Sequence, residues 1–132
     1  MKKDYFLVLD AGTGAARCNI FDRQGKIVAA DYAEWHYVTP YKNPPHTGAH
    51  EIREFDPEDF WGIFCRVIRN ALQKSGVSPL AIAGISSTSQ REGIVLLDQE
   101  GKEIYAGPNI DFRGAKEAGY LAEHFGERIY NE

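Results

Sequence analysis

The start of the chain limits its fold more than any other feature. Tyr5-Phe6-Leu7-Val8-Leu9 is an unbroken apolar run of strand length that leads straight into Asp10-Ala11-Gly12-Thr13-Gly14, and Ala16 to Phe21 then resumes the strand pattern. A short continuous apolar run suits a strand buried on both faces. The helix that a Walker-type or dinucleotide loop needs directly after its glycines is absent, so the turn joins two antiparallel strands. Asp22-Arg23-Gln24-Gly25 breaks the pattern with hairpin residues and Lys26 to Ala30 rises again, which predicts a three-stranded meander.

A similar layout returns downstream. Leu80 to Ser86 and Gly93 to Leu97 are apolar runs, Asp98-Gln99-Glu100-Gly101 is a turn, and Lys102 to Ala106 is its partner strand. Both turns have the form Asp-x-x-Gly-Lys, which predicts similar hairpins without establishing an internal repeat. Between the halves, Asp56-Pro57-Glu58-Asp59 carries a helix start: a capping aspartate, proline at the first helical position and carboxylates in the first turn. Phe60, Phe64, Val67, Ile68, Ala71 and Leu72 follow at three- and four-residue spacing, and Gly76 ends the run. Phe60, Trp61 and Phe64 read as core or near-core residues of this helix. A second amphipathic segment runs from about Gly114 to Phe125, and Val38 to Glu54 is a proline-rich loop too long for a plain connector. Strands, helix, strands and helix make an α/β or α+β domain with a mixed sheet.

Composition closes off other classes. The 132 residues fit one domain, with 43% hydrophobic and 26% charged residues, which excludes disordered and fibrous chains. A net charge of −4 without long like-charge blocks offers no field for nucleic acid. The 2 cysteines, Cys18 and Cys65, lack metal-ligand spacing and cannot build a disulfide framework, so a reducing, cytoplasmic setting is expected. No run approaches the roughly 20 apolar residues of a membrane span, and the basic start lacks the apolar stretch of a signal peptide. The histidines, including His46 and His50, form no zinc pattern.

Three polar segments are candidates for chemistry. At Asp10-Ala11-Gly12-Thr13-Gly14, glycines let backbone N–H groups approach an anion, Thr13 adds a donor, and Asp10 can hold a divalent cation through water. Arg17 lies within reach of the same phosphates. An ordinary Asp-Gly hairpin is the alternative, and the pentapeptide alone does not choose. Ser86 to Gly93 contains Gln90-Arg91-Glu92, donors and an acceptor suited to the vicinal hydroxyls of a polyol or sugar. On residue grounds alone a solvated turn with a chance ion pair is favoured there. Asn109-Ile110-Asp111-Phe112-Arg113 reads equally as a helix cap followed by a surface charge.

The order of these parts resembles the N-terminal domain of the FGGY family of carbohydrate kinases, which includes glycerol, xylulose and gluconate kinases. Asp10-x-Gly12-Thr13-x-x-x-Arg17 is similar to the family's first phosphate motif. Gly14, Ala15 and Ala16 replace the small hydroxyl residues often found there, leaving backbone N–H groups and Thr13 as donors. Glu54 to Trp61 resembles the segment that enters the family's first long helix. Gln90-Arg91-Glu92 resembles the triplet that binds substrate hydroxyls in the glycerol kinase branch, and Asn109-x-Asp111-x-Arg113 resembles a Trp-x-Asp-x-Arg region with Asn109 in place of tryptophan. Ala33-Glu34-Trp35, Arg91 to Leu96 and Asn109 to Asp111 look most like the autoinducer-2 kinase branch, which phosphorylates an open-chain dihydroxypentanedione.

The resemblance implies a ribonuclease-H-like (actin-like ATPase) α/β domain, a five-stranded mixed sheet flanked by helices, with ATP and Mg2+ as cofactors. It implies that Asp10, Gly12, Thr13, Gly14 and Arg17 bind phosphate, Asp10 also the metal, and that Gln90, Arg91, Glu92 and Asp111 bind a small sugar or polyol. No general base is visible, and in the family the base and the adenosine pocket lie further along the chain. Residues 1–132 are therefore expected to be one truncated N-terminal domain, inactive without a C-terminal ATP-binding domain. The rival from another class is a non-catalytic actin-like binding module; within the enzymes it is a glycerol or pentulose kinase.

Overall fold

The computed structural model describes residues 3–39 and 52–131. The predicted meander is there: β1 (Tyr5–Ala11), β2 (Ala15–Phe21) and β3 (Ile27–Glu34) pair antiparallel in sequence. A helix, α1 (Pro57–Ser75), a single 3-10 turn at Pro79–Ala81, and β4 (Ile82–Ser89) follow. β4 pairs parallel to β1, giving a mixed sheet of order β3-β2-β1-β4. β5 (Ile94–Leu97) and β6 (Glu103–Gly107) form a separate hairpin, and α2 (Ala115–Asn131) ends the described chain.

Local chemistry accounts for the elements. Asp56 caps α1 by accepting from the N–H groups of Glu58 at 2.8 Å and Asp59 at 3.1 Å, and Gly76 closes it in the left-handed conformation at φ 64°. The two Asp-x-x-Gly-Lys turns are the same structure. Asp22 Oδ1 accepts from Gln24 and Lys26 N–H, Asp98 Oδ1 from Glu100 and Lys102 N–H, and Gly25 and Gly101 supply positive φ. The core lies between α1 and one sheet face, where Phe64, Val67 and Ala71 meet Leu7, Ala16, Cys18 and Ile20. Burial pushes the Cys18 thiol up to about 11, with the charge of Asp31 adding to the rise. Asp31 of β3 accepts from Asn70 and Lys74 of α1; the Lys74 bond, opposed by desolvation, holds its carboxyl below the usual range.

Several expectations need correcting. The sheet has four strands rather than five, because β5 pairs only with β6 after the chain turns away at Arg91 and Glu92. β4 begins later than expected and carries Ser86 to Ser89 inside the strand; Pro79 and the Ser78 cap make a 3-10 turn of what looked like its start. α2 runs beyond Phe125, and its first residue, Ala115, leaves Asp111 too far upstream to be its cap. Trp61 is exposed, because it lies beyond the stripe of α1 that meets the sheet. Val38 and Glu54 bond reciprocally at the ends of the long loop, while Pro40, Pro44, Pro45, His46, Gly48 and His50 lie outside the described residues.

Candidate functional site

Two loops leave the sheet at the same end. β1 and β4 run parallel with Asp10 opposite Thr88 and Ala11 opposite Ser89, so their carboxyl ends lie side by side, where ligands collect in open α/β sheets. The hairpin Gly12-Thr13-Gly14 follows β1, and Gln90-Arg91-Glu92-Gly93 follows β4. Gln90 ties them together. Its N–H donates to the Ala11 carbonyl at 2.7 Å, and its Oε1 accepts from Asn109 N–H at 3.3 Å. The Thr13 hydroxyl donates to Asn109 Oδ1 at 3.5 Å. Three segments distant in sequence therefore converge: the hairpin, the turn after β4 and the loop after β6.

On the hairpin, Asp10 and Arg17 are register partners across β1 and β2. Strand alternation places them, with Thr88, on the sheet face opposite α1. Arg17 Nη1 donates to Asp10 Oδ2 at 3.0 Å, with the two side chains 52% and 31% exposed. An ion pair that open to water is weak, so the guanidinium is free to turn toward a competing phosphate. A β-carbon at Gly12 would sit at contact distance, 3.4 Å, from both the Ala15 carbonyl and Arg17 Nη1, so glycine leaves extra room beside the guanidinium rather than relieving a clash. A hollow of about 410 Å³ lies here, lined by the hairpin, Arg17, Tyr32 and Glu34. A larger one, about 540 Å³ over the first turn of α1, is lined by the carboxylates Glu34, Asp56, Glu58 and Asp59 together with His36 and Arg66.

Magnesium fits this set only in company. Among the described residues no three His, Cys, Asp or Glu side chains gather into a metal site. The Asp10 carboxylate, half-open beside the hairpin, suits one ligand, direct or through water, of an ion whose remaining ligands are phosphate oxygens and water.

Arg91 and Glu92 are exposed and form no hydrogen bond or ion pair with another described residue. Glu92 holds φ 64°, a left-handed backbone that costs a non-glycine residue about 1 to 2 kcal/mol. Strain at an exposed, unpaired carboxylate is the kind that gathers at ligand-binding positions.

Asp111 is different. Its side chain is 2% exposed: Oδ2 accepts from the Tyr105 hydroxyl at 2.7 Å and pairs with Arg113 Nε at 2.6 Å, while Oδ1 accepts from Arg53 and Arg113 N–H at 3.3 Å each. Arg113 also reaches Glu54 at 2.7 Å and lies over the Tyr105 ring. Arg113 is thus no simple surface charge. Desolvation lowers the Arg113 pKa, but the Glu54 hydrogen bond and the Asp111 charge outweigh it and the net direction is upward. Burial, then the bond to Asp111, pushes the Tyr105 phenol up to about 12. This network fixes the loop that carries Asn109, and its carboxylate faces protein groups.

Sequence reasoning missed Glu54, Tyr105 and Trp35 as parts of this region. Gly107 was the available signal for Tyr105: a β-carbon there would overlap the phenol end of the tyrosine, which glycine lets sit where it meets Asp111.

The profile of the FGGY family of carbohydrate kinases, N-terminal domain, matches residues 5–122. The chain belongs to this family. An autoinducer-2 kinase of Salmonella paratyphi A is 43% identical over 130 residues, covering 96% of this chain and 23% of that protein. One from Escherichia coli is 40% identical over 130 residues, covering 98% and 23%. The chain thus spans 23% of the length of these FGGY relatives. Among solved structures, a gluconate kinase from Lactobacillus acidophilus superposes with TM-score 0.81 at 21% identity, over 97% of this chain and 24% of that one. A xylulose kinase from the same organism gives TM-score 0.78 at 23% identity, over 97% and 24%. These likenesses bear out the fold class: α/β, of the sugar-kinase type. Among the described residues no helix is long and apolar enough to cross a membrane.

Proposed function

We propose that this chain is the N-terminal part of an ATP-dependent carbohydrate kinase that moves the γ-phosphoryl group to a hydroxyl of a small, sugar-like acceptor of the autoinducer-2 (dihydroxypentanedione) type. The observation that carries the reading is the Gln90 bridge, which sets a glycine hairpin beside an unpaired Arg91 and Glu92. The chain is 43% identical over 130 residues to an autoinducer-2 kinase, which favours that acceptor over glycerol or a pentulose.

Phosphoryl transfer asks a protein mainly for positioning and charge stabilisation. In this reading, the N–H groups of the hairpin, Thr13 and Arg17 hold the phosphates, and Asp10 supplies one ligand to the magnesium that accompanies ATP. When bound there, the ion would supply positive charge that offsets the charge of the transferred group. Arg91 donates to, and Glu92 accepts from, neighbouring hydroxyls of the acceptor, a pairing that sets which hydroxyl faces the phosphate. Gln90 and Asp111 act through the loop positions they fix. The base that takes the acceptor proton and the adenosine pocket belong to a C-terminal part of the same protein, and an ATP-consuming reaction goes with a cytoplasmic setting.

The test compares the chain alone with the chain joined to the C-terminal remainder of an autoinducer-2 kinase. ATP-dependent phosphorylation of dihydroxypentanedione is expected from the joined protein, with glycerol and xylulose poorer acceptors, and none above trace from the chain alone. In the joined protein Arg91→Ala and Glu92→Ala are expected to raise the acceptor KM or lower kcat by 1 to 2 orders of magnitude, roughly 1.4 to 3 kcal/mol for a charged hydrogen bond. Unchanged kinetics in both variants would remove the acceptor role.

A further inference from the structure

The hairpin between β1 and β2 has its carbonyls held by one residue. Trp35 directly follows β3. Its backbone N–H donates to the Gly14 carbonyl at 3.2 Å, and its indole Nε1–H donates to the Thr13 carbonyl at 3.2 Å. The indole is buried, with its ring 4.6 Å from Phe60 and 6.4 Å from Phe64 of α1. Two successive carbonyls of the turn are therefore anchored to the hydrophobic core through a single side chain and its own peptide.

Peptide planarity gives this anchoring a consequence. In a trans peptide the carbonyl of one residue and the N–H of the next point in opposite directions. With the Thr13 carbonyl turned toward Trp35, the Gly14 N–H must face away from it; the Ala15 N–H, also turned from Trp35, points across the hairpin toward Gly12, whose own N–H donates to the Ala15 carbonyl at 3.0 Å. The Thr13 and Gly14 N–H groups make no hydrogen bond to another described residue. Released from Trp35, a turn with two glycines could rotate either peptide at small cost and present a carbonyl oxygen, which repels an anion, in place of an N–H.

We infer that Trp35 is a positioning residue for anion binding: its indole N–H, by holding the Thr13 carbonyl, locks the Thr13–Gly14 peptide in the orientation that turns the Gly14 N–H outward. This rests on reading the hairpin as a phosphate loop. Trp35 itself touches no ligand; it acts through the two carbonyls.

The test uses inorganic tripolyphosphate with magnesium as probe, titrated into the 132-residue chain and followed by backbone amide chemical shifts. In the parent, shifts at Thr13 and Gly14 are expected to titrate. Trp35→Phe keeps an aromatic ring against Phe60 but removes the indole donor. It should weaken binding by about three- to ten-fold, the worth of one hydrogen bond, while amide shifts of α1 stay in place. Replacement of Trp35 by benzothienylalanine, which has indole shape with sulfur at the N–H position, separates loss of the donor from loss of packing and serves if the Phe variant does not fold. Equal tripolyphosphate affinity in parent and both variants would overturn the role of Trp35 and leave the phosphate-loop reading standing. No titration of hairpin amides in the parent would overturn that reading, and the inference with it.

Discussion

Glu92 sets stability against function at a single residue. Its left-handed φ of 64° is one that glycine adopts freely, and its side chain makes no bond to a described residue that would repay the strain. Glu92→Gly is therefore expected to leave the fold as stable or more so, by up to about 1 kcal/mol, while weakening the acceptor kinetics of the joined kinase as much as Glu92→Ala does. Paired thermal melts and acceptor KM measurements check this; a clear fall in Tm would show that the carboxylate is structural. Cys18 gives a prediction in pH. Its thiol is fully buried and its pKa rises from 9.0 to about 11, so the folded state favours the neutral thiol. Its contribution is whole below pH 9 and is lost as pH rises from 9 to about 11, a change of order 2 kcal/mol. Denaturant melts of the parent should lose stability across that window, and Cys18→Ala should lose less. Parallel curves for the two proteins would assign the alkaline loss elsewhere.

At the scale of elements, what was legible had local causes. α1 could be read almost residue by residue because Asp56, Pro57 and Gly76 mark its ends chemically and its apolar spacing selects one face. Asp56→Ala removes acceptors for two N–H groups and is expected to cost about 1 kcal/mol, measured as a lower denaturation midpoint at unchanged m value. No change would mean that another group takes over the cap. Both Asp-x-x-Gly-Lys turns were equally legible, since side chain, glycine and register all belong to five neighbouring residues. β4 was not, because Ser86 to Ser89 look like loop by propensity and are held extended by pairing with β1, a partner far away in sequence. The same limit applied to the site. Gly12, Arg91 and Glu92 could be found as motifs, but the Gln90 bridge, the Trp35 clamp and the Asp111 network join residues from different segments and exist only after the sheet has formed.

For the whole molecule, burial divides the described chain into unequal parts. β1, β2, β3 and α1 share a dry core in which Ala16, Cys18, Ile20, Val67 and Ala71 are fully buried. β5, β6 and α2 expose much of their apolar surface instead: Ile94 is 50% exposed, Leu97 59%, Leu121 47% and Phe125 42%. A helix in water owes most of its stability to the face it buries, and a two-stranded hairpin is marginal alone. The candidate site straddles this division, with the Gly12-Thr13-Gly14 hairpin on the packed part and Asn109 on the loop between β6 and α2. Amide hydrogen exchange on the chain should therefore be graded. Amides of β1, β2 and α1 should exchange only through global opening, and those of α2 at least about 100-fold faster through local opening. The apolar strip of α2 gains a burying surface only when more polypeptide or another protein is added, so joining the chain to a kinase C-terminal part should slow exchange in α2 and leave α1 unchanged. Protection of α2 equal to that of α1 in the chain alone would contradict this division, because it would require packing that the exposed Leu121 and Phe125 do not have.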